Sequence, residues 1–428
     1  MSFEPSPAAA AQPNPQPARQ PMPLLKLAGR EVLPIVQGGM GVGISGARLA
    51  GAVAACNATG TLSSADARRS HPDLMERTHR PGTDAAAKQL INDANLEALE
   101  RDVRKARELS RGYGLIAVNV MRAVADYARM VRRACAAGAD VIVAGAGLPL
   151  DLPELTADFP RVAIVPILSD ARGIALVLKK WERKGRLPDA IVIEHPKLAG
   201  GHLGAARIAD LDDPRFDFEN VLPEARAHLR ALGAEDRVPL IVAGGIGSPE
   251  RVREVAALGA AAVQVGTAFA VTEECDAHPE FKRVLAGARP EDIVEFQSVA
   301  GLPARAVRTP WLEAYLKVEA KLQAKVAQRG TPRSRCTMVF DCLAQCGLRD
   351  GIARFGQFCI DNQLAAALRG DVKTGLFFRG AGRLPFGTEI RPVRELIDHL
   401  LSGVSTGVAN ALAPLARSTN AAAATAAA

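Results

Sequence analysis

Eight short apolar runs, separated by amphipathic segments of helical period, constrain this chain more than any other feature. The runs cover residues 33–37, 60–63, 115–119, 140–144, 162–167, 190–194, 240–243 and 262–265. A strand that is apolar on both faces must be covered on both, which is the situation of a parallel strand flanked by helices. The intervening segments read as crossover helices, among them 47–55, 123–136, 172–184 and 249–258. The last of these opens with Pro249 after Ser248, a first-turn proline behind a capping residue. Eight β/α repeats over roughly 250 residues fit a closed (β/α)8 TIM barrel better than an open doubly wound sheet.

Several stretches fall outside that minimal barrel. Residues 1–23 are rich in Pro and Ala without apolar periodicity, and 417–428 are low in complexity, so both read as disordered tails around a barrel at 24–290. Residues 71–111 form a polar insertion after the second strand, ending in LEALERDVRKARELSRG, and are expected to make a lid or a helical layer beside the site. Residues 203–230 are an extended connection after the sixth strand. A helical, cysteine-bearing C-terminal extension is expected over 291–416, where WLEAYLKVEAKLQAKVAQ has helical periodicity.

Composition removes other classes. Hydrophobic residues make up 48% of the 428 and charged residues 23%, enough for a large buried core. The net charge of +7 comes from Lys and Arg interleaved with Asp and Glu, with no stripe of alternating aromatic and basic residues, so no nucleic-acid partner is expected. No apolar stretch reaches membrane-spanning length and no secretory signal is visible, so no membrane contact is expected. Seven cysteines, an odd number at irregular spacing, suit reduced thiols in a cytoplasmic protein. Cys336, Cys342, Cys346 and Cys359 are dense enough for zinc or an iron–sulfur cluster, but their intervals of five, three and twelve residues match no strong signature. Cysteine is also a common small core residue, and no metal ligand is assigned.

The ends of strands seven and eight of such a barrel commonly hold a phosphate, because small residues let backbone N–H groups approach it. Here those ends read Ala243-Gly244-Gly245-Ile246-Gly247 and Gln264-Val265-Gly266-Thr267-Ala268-Phe269. The first strand runs into Gln37-Gly38-Gly39-Met40-Gly41-Val42-Gly43, a glycine density suited to a flat ring lying close to backbone. Residues 41–46 also have dinucleotide-fingerprint spacing, but no carboxylate follows until Asp66, and the match is read as coincidence. After strand six comes Glu194-His195-Pro196-Lys197-Leu198-Ala199-Gly200-Gly201-His202-Leu203-Gly204. An imidazole at position 202, on a glycine loop of the catalytic rim, suits removal of a carbon-bound proton near neutral pH, while His195 at the strand end suits a supporting role.

These residues carry a resemblance. PIVQGGMGVGISGARLAGAVAACNATGTLSS, LAGGHLG, PLIVAGGIGSPERVREVAALGAAAVQVGTAF and EFKRVL, between about residues 33 and 285, resemble the nitronate monooxygenase (2-nitropropane dioxygenase) family of FMN barrels. Flavin-dependent enoyl-ACP and NADH:quinone reductases are similar in the same places. The resemblance implies non-covalent FMN with its phosphate on Gly244, Gly245, Gly266 and Thr267. Its ring would lie near Gly38, Gly39 and Met40, with Gln37, Asn119, Gly201 and Gln264 completing the contacts. It also implies that His202 is the base beside flavin N5. The family loop often reads Glu-Ala-Gly-Gly-His-x-Gly, and Leu198 stands here in place of that Glu.

The function implied is oxidation of a nitronate or similar carbon acid with O2. The alternatives are NAD(P)H-dependent reduction of quinones or enoyl thioesters, and a non-catalytic flavin-binding sensor or interaction module. The oligomeric state stays open.

Overall fold

In a computed structural model that describes residues 20–79, 82–328 and 334–405, the eight apolar runs form one closed parallel barrel. Its strands are β1 (Ile35–Gln37), β2 (Thr59–Ser63), β3 (Leu115–Met121), β4 (Val141–Gly145), β5 (Ala163–Leu168), β6 (Ile191–Glu194), β7 (Leu240–Ala243) and β8 (Ala262–Val265). Closure comes from β8 pairing with β1, with Gln264 opposite Val36 and Val265 opposite Gln37. Most of the terminal tails read from composition lies outside the described residues.

Strand side chains alternate between two cores, as the period of two demands. Leu115 and Ala117 of β3, Val192 of β6, Ile241 and Ala243 of β7 and Ala262 of β8 fill the barrel interior. Ile116, Val118, Ile191, Ile193, Val242 and Val263 point outward into the layer shared with the helices. A hairpin of Leu25–Leu27 and Arg30–Val32 adds Leu25, Leu27 and Val32 to the interior core.

The insertion is a helical layer rather than a lid. Its long helix, Ala85–Ser110, is capped by Asp84, whose side chain accepts from Ala87 N, and it packs on the helix Ala47–Ala55. A Cβ at Gly51 would lie 2.5 Å from Leu109 Cβ, so this packing is as close as glycine permits. The connection after β6 coils through short turns before the helix Phe218–Ala231.

The C-terminal extension holds the helices Pro310–Ala327, Ile360–Leu368 and Val393–Leu400, and in addition an antiparallel pair, Ile293–Gln297 with Pro303–Val307. It has a core of its own, in which Phe296, Leu312, Tyr315, Phe358 and Leu376 are buried together.

Candidate active site

The same alternation that fills the barrel puts polar side chains at its carboxyl rim. Asn119 lies two residues beyond Ala117, Glu194 two beyond Val192 and Gln264 two beyond Ala262, so all three share the inward phase and line a cavity of about 510 Å³. Gly38, Gly39, Met40, Gly201, His202, Gly244, Gly245, Gly266 and Thr267 line the same cavity. Gln37, expected among the cofactor contacts, does not. It follows Val36, an inward position, and so faces outward; its Oε1 accepts from Thr61 N at 2.8 Å and its amide donates to Gly38 O. Gln37 ties the β1 rim to β2 instead. No described residue of 71–111 lines the cavity; the apolar loop residues Ile44 and Leu203 do, while Val42 is buried outside its lining.

The glycines have distinct reasons. Gly244 and Gly245 have φ of +103° and +72°, a conformation that side chains rarely tolerate. A Cβ on Gly39 would come within 2.4 Å of Asn119 Cβ. At Gly266 the only atom within 4 Å of an added Cβ is Met40 Sδ, at 3.8 Å, so a side chain there would take up cavity space.

His202 is held by contacts from far along the chain. Gly201–His202 is an edge strand antiparallel to Pro303–Val307, with Gly201 opposite Arg305 and His202 opposite Ala304. Its Nε2 lies 2.7 Å from Ser298 Oγ, a fully buried hydroxyl that also accepts from Ala300 N at 3.2 Å. Phe378 meets the ring edge-on, with centroids 5.6 Å apart. Removal from water pushes the imidazole down to about 4, so the ring is neutral at physiological pH. Nearby, burial pushes Glu194 up to about 7 against the opposing pull of Arg305.

Arg305 fastens the loop that leads to His202. Its buried guanidinium donates through Nη1 to Pro196 O at 3.0 Å and Ala199 O at 2.5 Å, and through Nε to Glu295 at 2.8 Å. Leu198, in the position of the family's Glu, packs over Gly245, where an added Cβ would meet its Cδ1 at 2.8 Å. His195 lies outside the cavity lining; its Nε2 pairs with Asp217 at 3.2 Å, and burial lowers its pKa despite that carboxylate.

The extension also covers the glycine rim. Gly380 N donates to Thr267 Oγ1 at 3.0 Å, and Gly382 approaches Gly245 closely enough that a Cβ would sit 3.4 Å from its Cα. Arg379 folds this turn by donating to the carbonyls of Gly380, Gly382 and Leu285. Of the aromatics in GLFFRG, Phe377 packs into the barrel core against Phe281, whereas Phe378 faces the cavity. Sequence reading does not single out Ser298, Arg305, Arg379 or Gly380, takes the aromatics of GLFFRG, Phe378 included, as packing against the barrel, and gives Glu194 no role. For Glu194 the strand phase was a usable signal.

These features define a β/α-barrel protein with a small-molecule cavity at the carboxyl rim, walled by glycine backbone on strands one, seven and eight. The chain belongs to the nitronate monooxygenase family, whose profile matches residues 24–403. Among curated relatives, the nitronate monooxygenase of Pseudomonas aeruginosa is 35% identical over 121 residues, 27% of this chain and 31% of that protein. A probable nitronate monooxygenase of Bacillus subtilis is 31% identical over 123 residues, 29% of this chain and 33% of that protein. The matched segments thus span about a third of the relatives' length. FabK of Thermotoga maritima shares the fold with a TM-score of 0.58 at 22% identity, over 86% of this chain and 92% of that one. A nitroalkane oxidase of Streptomyces ansochromogenes does so with a TM-score of 0.57 at 18% identity, over 87% and 95%. No described helix is long and apolar enough to cross a membrane.

Proposed function

We propose that the protein is an FMN-dependent oxidoreductase that oxidises a nitronate or a similar carbon acid at the expense of O2, with His202 as its base. The observation that carries this reading is the neutral imidazole on the Gly200-Gly201 loop, in one cavity with the glycine rims of β1, β7 and β8. The cavity's volume lies within the roughly 300–1,000 Å³ typical of small-molecule sites. The open backbone at Gly266 and the positive-φ turn at Gly244 and Gly245 suit a phosphate, and the flat approach at Gly38 and Gly39 suits a ring.

Bound FMN would supply the two-electron acceptor for the substrate and the route of those electrons to oxygen. The chain's residues supply the rest. Gly244, Gly245, Gly266 and Thr267 would hold the phosphate, and Asn119, Gln264 and Met40, which line the same cavity, would border the ring. With Nε2–H donating to Ser298 Oγ, the Nδ1 lone pair of His202 is free to accept the α-proton of a neutral carbon acid, whereas a nitronate has already lost that proton and needs no base. Ile44, Leu203, Leu302 and Phe378 exclude water from the proton's path.

Anaerobic mixing tests the reading. Bleaching of the flavin bands by a nitronate but not by NADH supports it. Fast bleaching by NADH alone moves the protein to the NAD(P)H-dependent reductases of quinones or enoyl thioesters. A colourless protein that takes up no FMN removes both.

A further inference from the structure

Between the aromatic motifs GLFFRG and LPFG of the extension runs the turn Arg379-Gly380-Ala381-Gly382-Arg383, with an arginine at each end. It is pressed onto the rim where β7 and β8 end. Gly380 N donates to Thr267 Oγ1 at 3.0 Å, and Ala381 N to Leu198 O at 3.2 Å. A Cβ on Gly247 would lie 2.3 Å from Arg383 O, and one on Gly200 would lie 2.4 Å from Gly380 N. The turn therefore rests on backbone that a side chain would hold away.

Both arginines line the cavity. Arg379 is only 5% exposed, and its guanidinium meets carbonyl oxygens: Leu285 O at 2.9 Å through Nε, and Gly380 O at 2.8 Å and Gly382 O at 3.3 Å through Nη1. Three arginines are buried among the described residues, and two of them have a carboxylate beside them. Arg68 has Asp66 at 3.0 Å and Arg305 has Glu295 at 2.8 Å. Arg379 has none among the described residues, and burial lowers its hold on its proton with no neighbouring charge opposing the shift. The side chain of Arg383 likewise forms no ion pair or hydrogen bond with a described residue. Carbonyl dipoles satisfy N–H groups without neutralising a charge, and a cation withdrawn from water without a counter-ion is costly.

The counter-ion that fits is an anion in the cavity, and the position of the turn says which part of a ligand carries it. Gly380, bonded to Thr267, and Gly382, against Gly245, set the two arginines over the end of the cavity farthest along β7 and β8, where small residues leave room for a phosphate. Because Thr267 Oγ1 accepts from Gly380 N, its hydroxyl hydrogen remains available to an anion. Guanidinium is a planar fork that matches phosphate oxygens.

We infer that Arg379 and Arg383 form an anion clasp, carried by the C-terminal extension, that neutralises the phosphomonoester of FMN, an inference that rests on the FMN reading above. The glycine rims shape the phosphate site and the clasp supplies its charge. The protein should then distinguish FMN from riboflavin, which has the same ring and ribityl chain without the phosphate.

Fluorescence titration of the flavin-free, full-length chain with FMN and with riboflavin tests this without any turnover. Arg383→Gln should weaken FMN binding roughly 10–100-fold, the worth of a charge-assisted hydrogen bond, and leave riboflavin binding unchanged. Arg383→Lys should keep part of the FMN preference. Arg379→Gln should lose at least as much, but this side chain also folds the turn. Should that variant fold poorly, Arg383→Gln decides, since Arg383 meets the rim through its carbonyl. Unchanged FMN affinity in Arg383→Gln, or equal weakening of both flavins, overturns the clasp while leaving the cofactor assignment intact. Wild-type protein that takes up neither flavin overturns the cofactor assignment and the clasp together.

Discussion

Where β1, β7 and β8 end, the wall of the cavity is backbone: Gly38, Gly39, Gly244, Gly245 and Gly266 bring the main chain to the surface and carry no titratable group. Around His202 the wall is made of side chains and depends on the extension, through Ser298, Arg305 and Phe378. The first wall is insensitive to pH and specified within a few residues of each strand end. The second carries the groups with displaced proton affinities and is assembled across about a hundred residues, as the His202 to Ser298 separation of 96 illustrates. Binding and chemistry are thereby divided between two parts of the chain, so substitutions in each should fail in different ways.

The largest effect is expected at His202. His202→Asn should lower turnover by roughly 10²–10⁴-fold, the usual worth of a general base, while FMN content stays at the wild-type level. Full turnover in that variant would remove the imidazole from the reaction. Next comes the backbone wall. Gly245→Val imposes a strained positive-φ backbone, costing about 1–3 kcal/mol, and drives a side chain toward Leu198; FMN affinity should fall roughly 10–100-fold by fluorescence titration. Unchanged affinity would break the division of labour.

Ser298→Ala removes a hydrogen bond of about 1 kcal/mol from the ring, so kcat should fall roughly fivefold. The pH profile of kcat/KM should move with it, and Ser298→Thr should restore both. A loss of flavin instead would assign Ser298 to the binding wall.

The smallest effect is a pH-dependent stability difference. Because Glu194 is pushed up to about 7, the folded chain keeps a proton that the unfolded chain has already released. Its stabilising contribution is complete below the ordinary carboxylate range and is lost as pH rises through about 7. Glu194→Gln should therefore gain a few degrees in Tm over wild type between about pH 5 and pH 8, read by thermal melts, and a constant difference would contradict the burial of this carboxyl. His202 has the opposite sign, since its pKa is lowered to about 4: it costs stability as pH falls below about 6.5, and His202→Asn should remove that acid-side loss.

Much of this was legible in the residues. The barrel followed from the number and spacing of two-faced apolar runs, because a strand covered on both sides has few architectures open to it. The glycine rim was legible too, since the positive-φ turn at Gly244 and Gly245 strongly favours glycine. Reading Gln37 as a contact overlooked strand phase: Val36 already points inward, so its neighbour cannot. The same count, applied to β6, would have marked Glu194.

By itself, then, the sequence determined what depends on local period and backbone conformation: eight strands, their inward positions, and a rim that a ligand can approach. Only the tertiary structure decided which hydroxyl meets His202, which arginine fastens its loop, and which glycine turn of the extension covers the rim. Those contacts join positions far apart in the chain, where side-chain chemistry carries no record of the partner until packing brings it within hydrogen-bonding distance.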